Sequence, residues 1–163
     1  MRPFRAAAAA FALTLLTSCG STAGSTKETT VRTATKDQIR TELKELSARV
    51  YAATGLKGRL GENDTVNFSV CEGKPENVKD AIHFWQVDDL GPDELNPGVE
   101  KLREYFKANG WTGIGEKRDA AKVDLEVWAR NPENTAAVWA QAFSPKNRVI
   151  FRVSTPCFQV LDA

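Results

Sequence analysis

Between residues 111 and 155 the chain repeats one pattern: a strand-length stretch of alternating apolar and polar residues, then a short turn. Four strands are predicted there, at residues 111–117, 122–130, 136–143 and 148–155. In the second, Val123, Leu125 and Val127 alternate with Asp124, Glu126 and Trp128, the period-2 signature of a sheet buried on one face. The links Asn131-Pro132-Glu133-Asn134 and Ser144-Pro145-Lys146-Asn147 are of hairpin length. A parallel crossover needs a dozen residues or more, so an antiparallel meander follows. Gly113 and Gly115 place the first of these strands at an edge or a bend.

The preceding half supplies helices. Ile39, Leu43, Leu46 and Val50 recur at helical spacing while Arg40, Glu42, Lys44 and Glu45 take the other face, which predicts a helix over 37–54. Thr35 or Asp37 caps its start and Gly55 stops it. The stripe reads as core-facing. Strands are predicted at 65–71, with Val66, Phe68 and Val70 on one face, and at 81–87, with Phe84 and Trp85; 72–77 reads as a loop. Residues 88–96 read as an acidic turn. A second helix starts with Asn96 as cap and Pro97 in the first turn, buries Val99, Leu102 and Phe106, and ends at Asn109-Gly110. The expected fold is α+β in the order α-β-β-α-β-β-β-β, two helices covering one side of a mainly antiparallel sheet.

The first residues read as an address. Arg2 and Arg5 form a basic start, and 6–16 an apolar run shorter than the roughly 20 residues that span a bilayer. Leu16-Thr17-Ser18-Cys19 follows, and this tetrapeptide resembles the bacterial lipobox. The resemblance implies cleavage before Cys19 and lipid on its thiol, hence a protein anchored at the outer face of the cell membrane. It also gives the organisation: 1–18 signal peptide, 19–36 lipidated Cys and polar tether, 37–163 one α+β domain. The wider layout resembles small actinobacterial lipoproteins of uncharacterised function. The Ala-rich start, polar tether, Val50-Tyr51-Ala52-Ala53-Thr54-Gly55-Leu56 and Thr155-Pro156-Cys157-Phe158 carry that resemblance, which implies location and class but no active site.

With Cys19 assigned to lipid, Cys71 and Cys157 remain as a pair, expected to form a structural disulfide in an oxidising compartment. The precursor has 22 basic and 21 acidic residues; loss of Arg2 and Arg5 leaves 20 against 21. A near-neutral chain without a Lys/Arg run is not read as a nucleic-acid binder.

No catalytic, metal or cofactor set is read. His83 is the single histidine, so any Ser-His-Asp machine has to use it; it reads as structural. Zinc wants several His or Cys ligands, and Asp88, Asp89, Asp93 and Glu94 lack the alternation of a calcium loop. Of the four tryptophans, Trp128 shares a strand face with Asp124, Glu126 and Arg130 and points away from the main core. Trp128 and Trp139 are therefore candidate anchors for a partner or sugar. The functional expectation is a non-enzymatic binding or accessory lipoprotein of the envelope, anchored through Cys19 and engaging an envelope protein. A carrier with a ligand pocket between helices and sheet is the alternative, and a hydrolase the third.

Overall fold

The computed structural model describes residues 31–62, 64–118 and 124–161. In chain order its elements are β1 (Arg32–Ala34), α1 (Lys36–Thr54), β2 (Arg59–Leu60), β3 (Thr65–Val70), β4 (Val78–Asp88), α2 (Pro92–Ala108), β5 (Thr112–Arg118), β6 (Leu125–Arg130), β7 (Ala137–Phe143), β8 (Arg148–Ser154) and β9 (Phe158–Val160). This is the expected α+β fold, with three short strands more than predicted.

All strands join one sheet in the order β1-β9-β4-β8-β7-β6-β5, and β2 and β3 pair with the other edge of β4. The pairings are antiparallel except β1 with β9. β5 to β8 form the predicted meander. β5 is its edge, and its register shifts between Thr112 and Gly115, where glycine replaces a side chain.

Period-2 burial then decides where the helices go. Ala81, His83, Trp85 and Val87 of β4 and Val149, Phe151 and Val153 of β8 are buried against them. So are Val138, Ala140 and Ala142 of β7 and Leu125, Val127 and Ala129 of β6. α1 contributes Ile39, Leu43, Leu46 and Val50, and α2 contributes Leu95, Val99, Leu102 and Phe106, all nearly inaccessible. At about 25 cal/mol per Å² of apolar surface, this single layer of contacts is the main force holding helices to sheet.

α1 starts with a capping box: Thr35 Oγ1 accepts from the Gln38 amide at 3.2 Å and Gln38 Oε1 accepts from the Thr35 amide at 2.9 Å. Gly55 closes it in the left-handed region at φ 67°.

β4 starts at Val78 rather than at residue 81, residues 122 and 123 of the strand predicted at 122–130 lie outside the described residues, and two larger departures stand out. α2 begins at Pro92 rather than after Asn96, so part of the segment read as an acidic turn is helix. Pro92 takes the position where a missing N–H is harmless, and Asp93 and Glu94 face the positive end of the helix dipole. The Glu94 carboxylate accepts from the Gly91 amide at 2.7 Å. Asn96 lies inside α2 rather than at its N-cap; its Oδ1 accepts from the Leu125 amide at 2.8 Å and ties α2 to β6. The second difference is β1, which lies inside the stretch read as tether and runs parallel to β9, itself unpredicted. Lys36 of that stretch already belongs to α1 and Thr35 caps it, while residues 19–30, Cys19 included, lie outside the described residues, as does the whole leader.

Cys71, at the end of β3, and Cys157, between β8 and β9, are disulfide-bonded with their Cα atoms 6.2 Å apart.

Candidate functional site

One face of the sheet is packed under α1 and α2. Among the described residues no element covers the other. Strand alternation fills that open face with Ile82 and Phe84 from β4, Ile150 and Arg152 from β8, Trp139 from β7, and Trp128 and Arg130 from β6. Register lines four of them up directly across neighbouring strands: Trp128 opposite Trp139, Trp139 opposite Arg152, Arg152 opposite Phe84. Gly115 of β5 extends the row beyond Trp128. The row floors a shallow concavity of ≈ 660 Å³.

Both indoles are held in place. A Cβ added to Gly115 would fall on Cε2, Cζ2 and Nε1 of Trp128, three adjoining ring atoms. The Trp128 ring therefore lies across the glycine, and the residue is still 37% exposed. Trp139 donates its Nε1–H to Glu126 Oε1 at 2.7 Å, a diagonal contact between adjacent strands. Its one polar group is thus occupied, and what it presents is ring. Phe84 is 43% exposed. Arg152 and Arg130 are exposed, and neither has a carboxylate partner among the described residues. By contrast, Arg148 at the same face pairs with buried Asp88 at 3.0 Å and reaches Gln86. The open face thus combines oriented aromatic rings with two unneutralised guanidinium groups.

The other two tryptophans are core. Trp85 is stacked between His83 and Phe151, each ring 4.9 Å away, and Trp111 packs on Phe106 at 4.5 Å. Period-2 alternation within the strand was enough to turn Trp128 outward, whereas the facing of Trp139 was not read from the sequence. Alternation could not identify Phe84 and Arg152 as members of the same row, because their pairing depends on β4 lying beside β8.

A second polar constellation lies under α1. His83 Nδ1 is 2.7 Å from Ser47 Oγ, His83 Nε2 is 2.7 Å from Asp64 Oδ1, and Lys44 Nζ is 2.7 Å from Asp64 Oδ2. Burial pushes the His83 pKa below its ordinary value, against the opposing pull of Asp64; the Lys44 hydrogen bond holds the Asp64 carboxyl low. Neutral His83 thus donates to Asp64 and accepts from Ser47. The connectivity is that of a nucleophilic triad, but the exposure is reversed. The carboxylate side chain is 62% exposed and salt-bridged, while the hydroxyl sits 5% exposed on a helix flank. A triad needs the opposite, with a buried carboxylate and a reachable hydroxyl. The chain reads as a polar pin between α1, β4 and the β2–β3 turn. Ser47 was overlooked in the sequence; it lies one turn after Leu43 on the apolar stripe, which is the signal that places its hydroxyl inside.

The adjoining cavity, between α1 and the sheet, holds ≈ 250 Å³ and is lined by Lys44, Ser47, Tyr51, Asp64, His83 and Trp85 among others. That is below the roughly 300–1,000 Å³ of small-molecule sites. Among the described residues no group of three His, Cys, Asp or Glu side chains is placed to hold a metal ion, and no helix is long and apolar enough to cross a membrane. Comparison with protein families, with curated proteins and with solved structures gives no match.

Proposed function

We propose that this chain is a lipid-anchored binding module of the cell envelope, fixed to the outer face of the membrane through Cys19 and engaging its partner with the open sheet face. The row Trp128–Trp139–Arg152–Phe84 is the observation that carries this reading. Large aromatic side chains left at a surface cost solvation that a stable monomer ordinarily avoids, and a contiguous oriented set marks an interaction site. Aromatic and arginine side chains dominate binding energy because they bring much contact area for few rotatable bonds. The polar pin and the small cavity under α1 offer no comparable surface. The lipobox-like tetrapeptide supports the anchor, and its cysteine stands thirteen positions before β1.

Photo-crosslinking in intact cells tests the proposal. The anchored full chain carries a benzophenone amino acid in place of Phe84, or in place of the exposed Glu45 on α1 as control. Adducts from position 84 and none from position 45 are expected. The same adducts from both faces, or none from either, would remove the basis for a site on the sheet.

A further inference from the structure

We infer that the ligand of the open sheet face is a glycan strand whose sugar units carry carboxylates, lying across the strands along the Trp128–Phe84 row. The inference rests on the binding reading above and goes further by naming the ligand's chemistry.

Three observations favour it. The first is ring orientation. Trp128 lies across Gly115 with one face against the sheet, which leaves the other face to solvent. A flat, outward aromatic surface matches the C–H face of a sugar ring. Trp139, with its N–H already donated to Glu126, likewise has only its ring to offer.

The second is spacing. The four row residues stand on β6, β7, β8 and β4, four successive neighbours in the sheet. Adjacent strands are about 4.8 Å apart, close to the length of one pyranose unit along a chain. The row therefore repeats at the period of a linear glycan: ring, ring, guanidinium, ring.

The third is charge. Arg152 is the third member of the row, and Arg130 lies two residues beyond Trp128 on β6, opposite Ala137 of β7. Neither is neutralised by a protein carboxylate among the described residues. A guanidinium fork is matched by a planar carboxylate through two parallel hydrogen bonds. A uronic-type unit on the third step places its carboxylate beside Arg152.

A protein partner is less well matched. It would bury Arg152 at the centre of the patch, where an unpaired charge is costly and a paired one barely breaks even. A glycan leaves the face wet, and water solvates whatever the carboxylate does not reach. Single-stranded nucleic acid shares the stacking and the positive charge, so it belongs among the outcomes of the test.

Trigalacturonate is the probe, with its methyl ester as the uncharged twin and a short DNA single strand as the rival ligand. Titration calorimetry on the full mature chain in detergent should show binding of the acid, weakened about tenfold by esterification and about tenfold by Arg152→Gln, as befits loss of one charge-assisted pair. Trp128→Ala should abolish binding. Arg152 is exposed and makes no ion pair among the described residues, so its Gln variant keeps the fold; an unchanged near-ultraviolet circular dichroism spectrum verifies this for both variants. Equal affinity for acid and ester overturns the charge argument, and tighter binding of the DNA strand overturns the glycan. No binding at millimolar probe, together with face-selective crosslinks from position 84, would reject the glycan while sparing the binding module. Failure of both experiments would reject the two together.

Discussion

His83 shows how one buried side chain sets a local balance. Its ring is enclosed by Ser47, Asp64 and the Trp85 ring, and desolvation outweighs the attraction of Asp64, so the folded state disfavours the proton. Lys44, the nearby cation, works in the same direction. The folded pKa lies below the unfolded value of 6.5, so the unfolded chain takes up a proton first as the pH falls. The stability held by neutral His83 is thus complete above pH 6.5 and is lost as pH drops from there through the folded pKa. The Asp64 contribution has its own window, below its ordinary 3.8, because its pKa is lowered. In His83→Gln the amide oxygen replaces Nδ1 as acceptor and the amide nitrogen replaces Nε2 as donor, and nothing titrates. At neutral pH this variant should lose about 1–2 kcal/mol through the lost ring stacking. Urea midpoints should fall between about pH 7.5 and about pH 5 in the parent and stay nearly flat in the variant. Parallel decline in both would show that another group controls the slope.

At the scale of elements, strong periodicity was readable and short pairing was not. α1 and β5 to β8 stand close to where alternation put them, since each buries a whole face and a one-residue slip would expose it. β2 and β9 have two and three residues, too few to show a period, and exist only because β4 offers them an edge. β1 in turn needs β9, so a polar stretch that reads as tether becomes a strand through a partner far along the chain. The start of α2 was misplaced for a different reason: Pro92 and Pro97 both suit a first turn, and the acidic run between them reads equally as loop or as dipole-facing helix. The candidate site divides the same way. The outward turn of Trp128 was visible within its own strand, whereas Trp139, Arg152 and Phe84 join it only through register, and Ser47, His83 and Asp64 meet from three separate elements. The late edge has its own stake in the disulfide. Besides the strand pairing, β9 is held by the Val160 amide donating to the Asn77 carbonyl just before β4 at 2.7 Å, and β1 by the Leu161 amide donating to the Ala34 carbonyl at 3.0 Å. Cys71–Cys157 ties this margin to the end of β3 across 86 positions. Replacing both cysteines by serine should cost about 4–5 kcal/mol in the chain-entropy description. Hydrogen exchange should rise first in residues 32–34 and 158–161, well before β7 and β8. Uniform loss of protection would mean that the bridge supports the whole sheet rather than its margin.

For the whole molecule, anchor and binding face are separable by construction. The two helices occupy one side of the sheet, the aromatic row the other, and the proposed lipid attachment lies before β1 in the chain. Thirteen residue steps from Cys19 to Arg32 span at most about 45 Å, which bounds how far from the lipid surface the strand order can begin. Within that radius the sheet face can meet a ligand in the envelope without any strain passing from anchor to fold. Membrane retention should then depend on the thiol alone, because a chain cleaved before Cys19 would be near neutral and its sequence carries no run of Lys and Arg for lipid headgroups. Acyl chains contribute about 0.8 kcal/mol per buried CH₂, so two or more hold the protein firmly and none does not. Cys19→Ser should therefore shift the protein out of the membrane pellet and remove the lipid mass in intact-protein mass spectrometry. Its thermal midpoint and its affinity for trigalacturonate should match those of the detergent-solubilised parent. A serine variant that still pellets with membranes would place attachment elsewhere in the chain. One that loses the ligand would show that lipid and sheet face act as one site, against the separation that the topology implies.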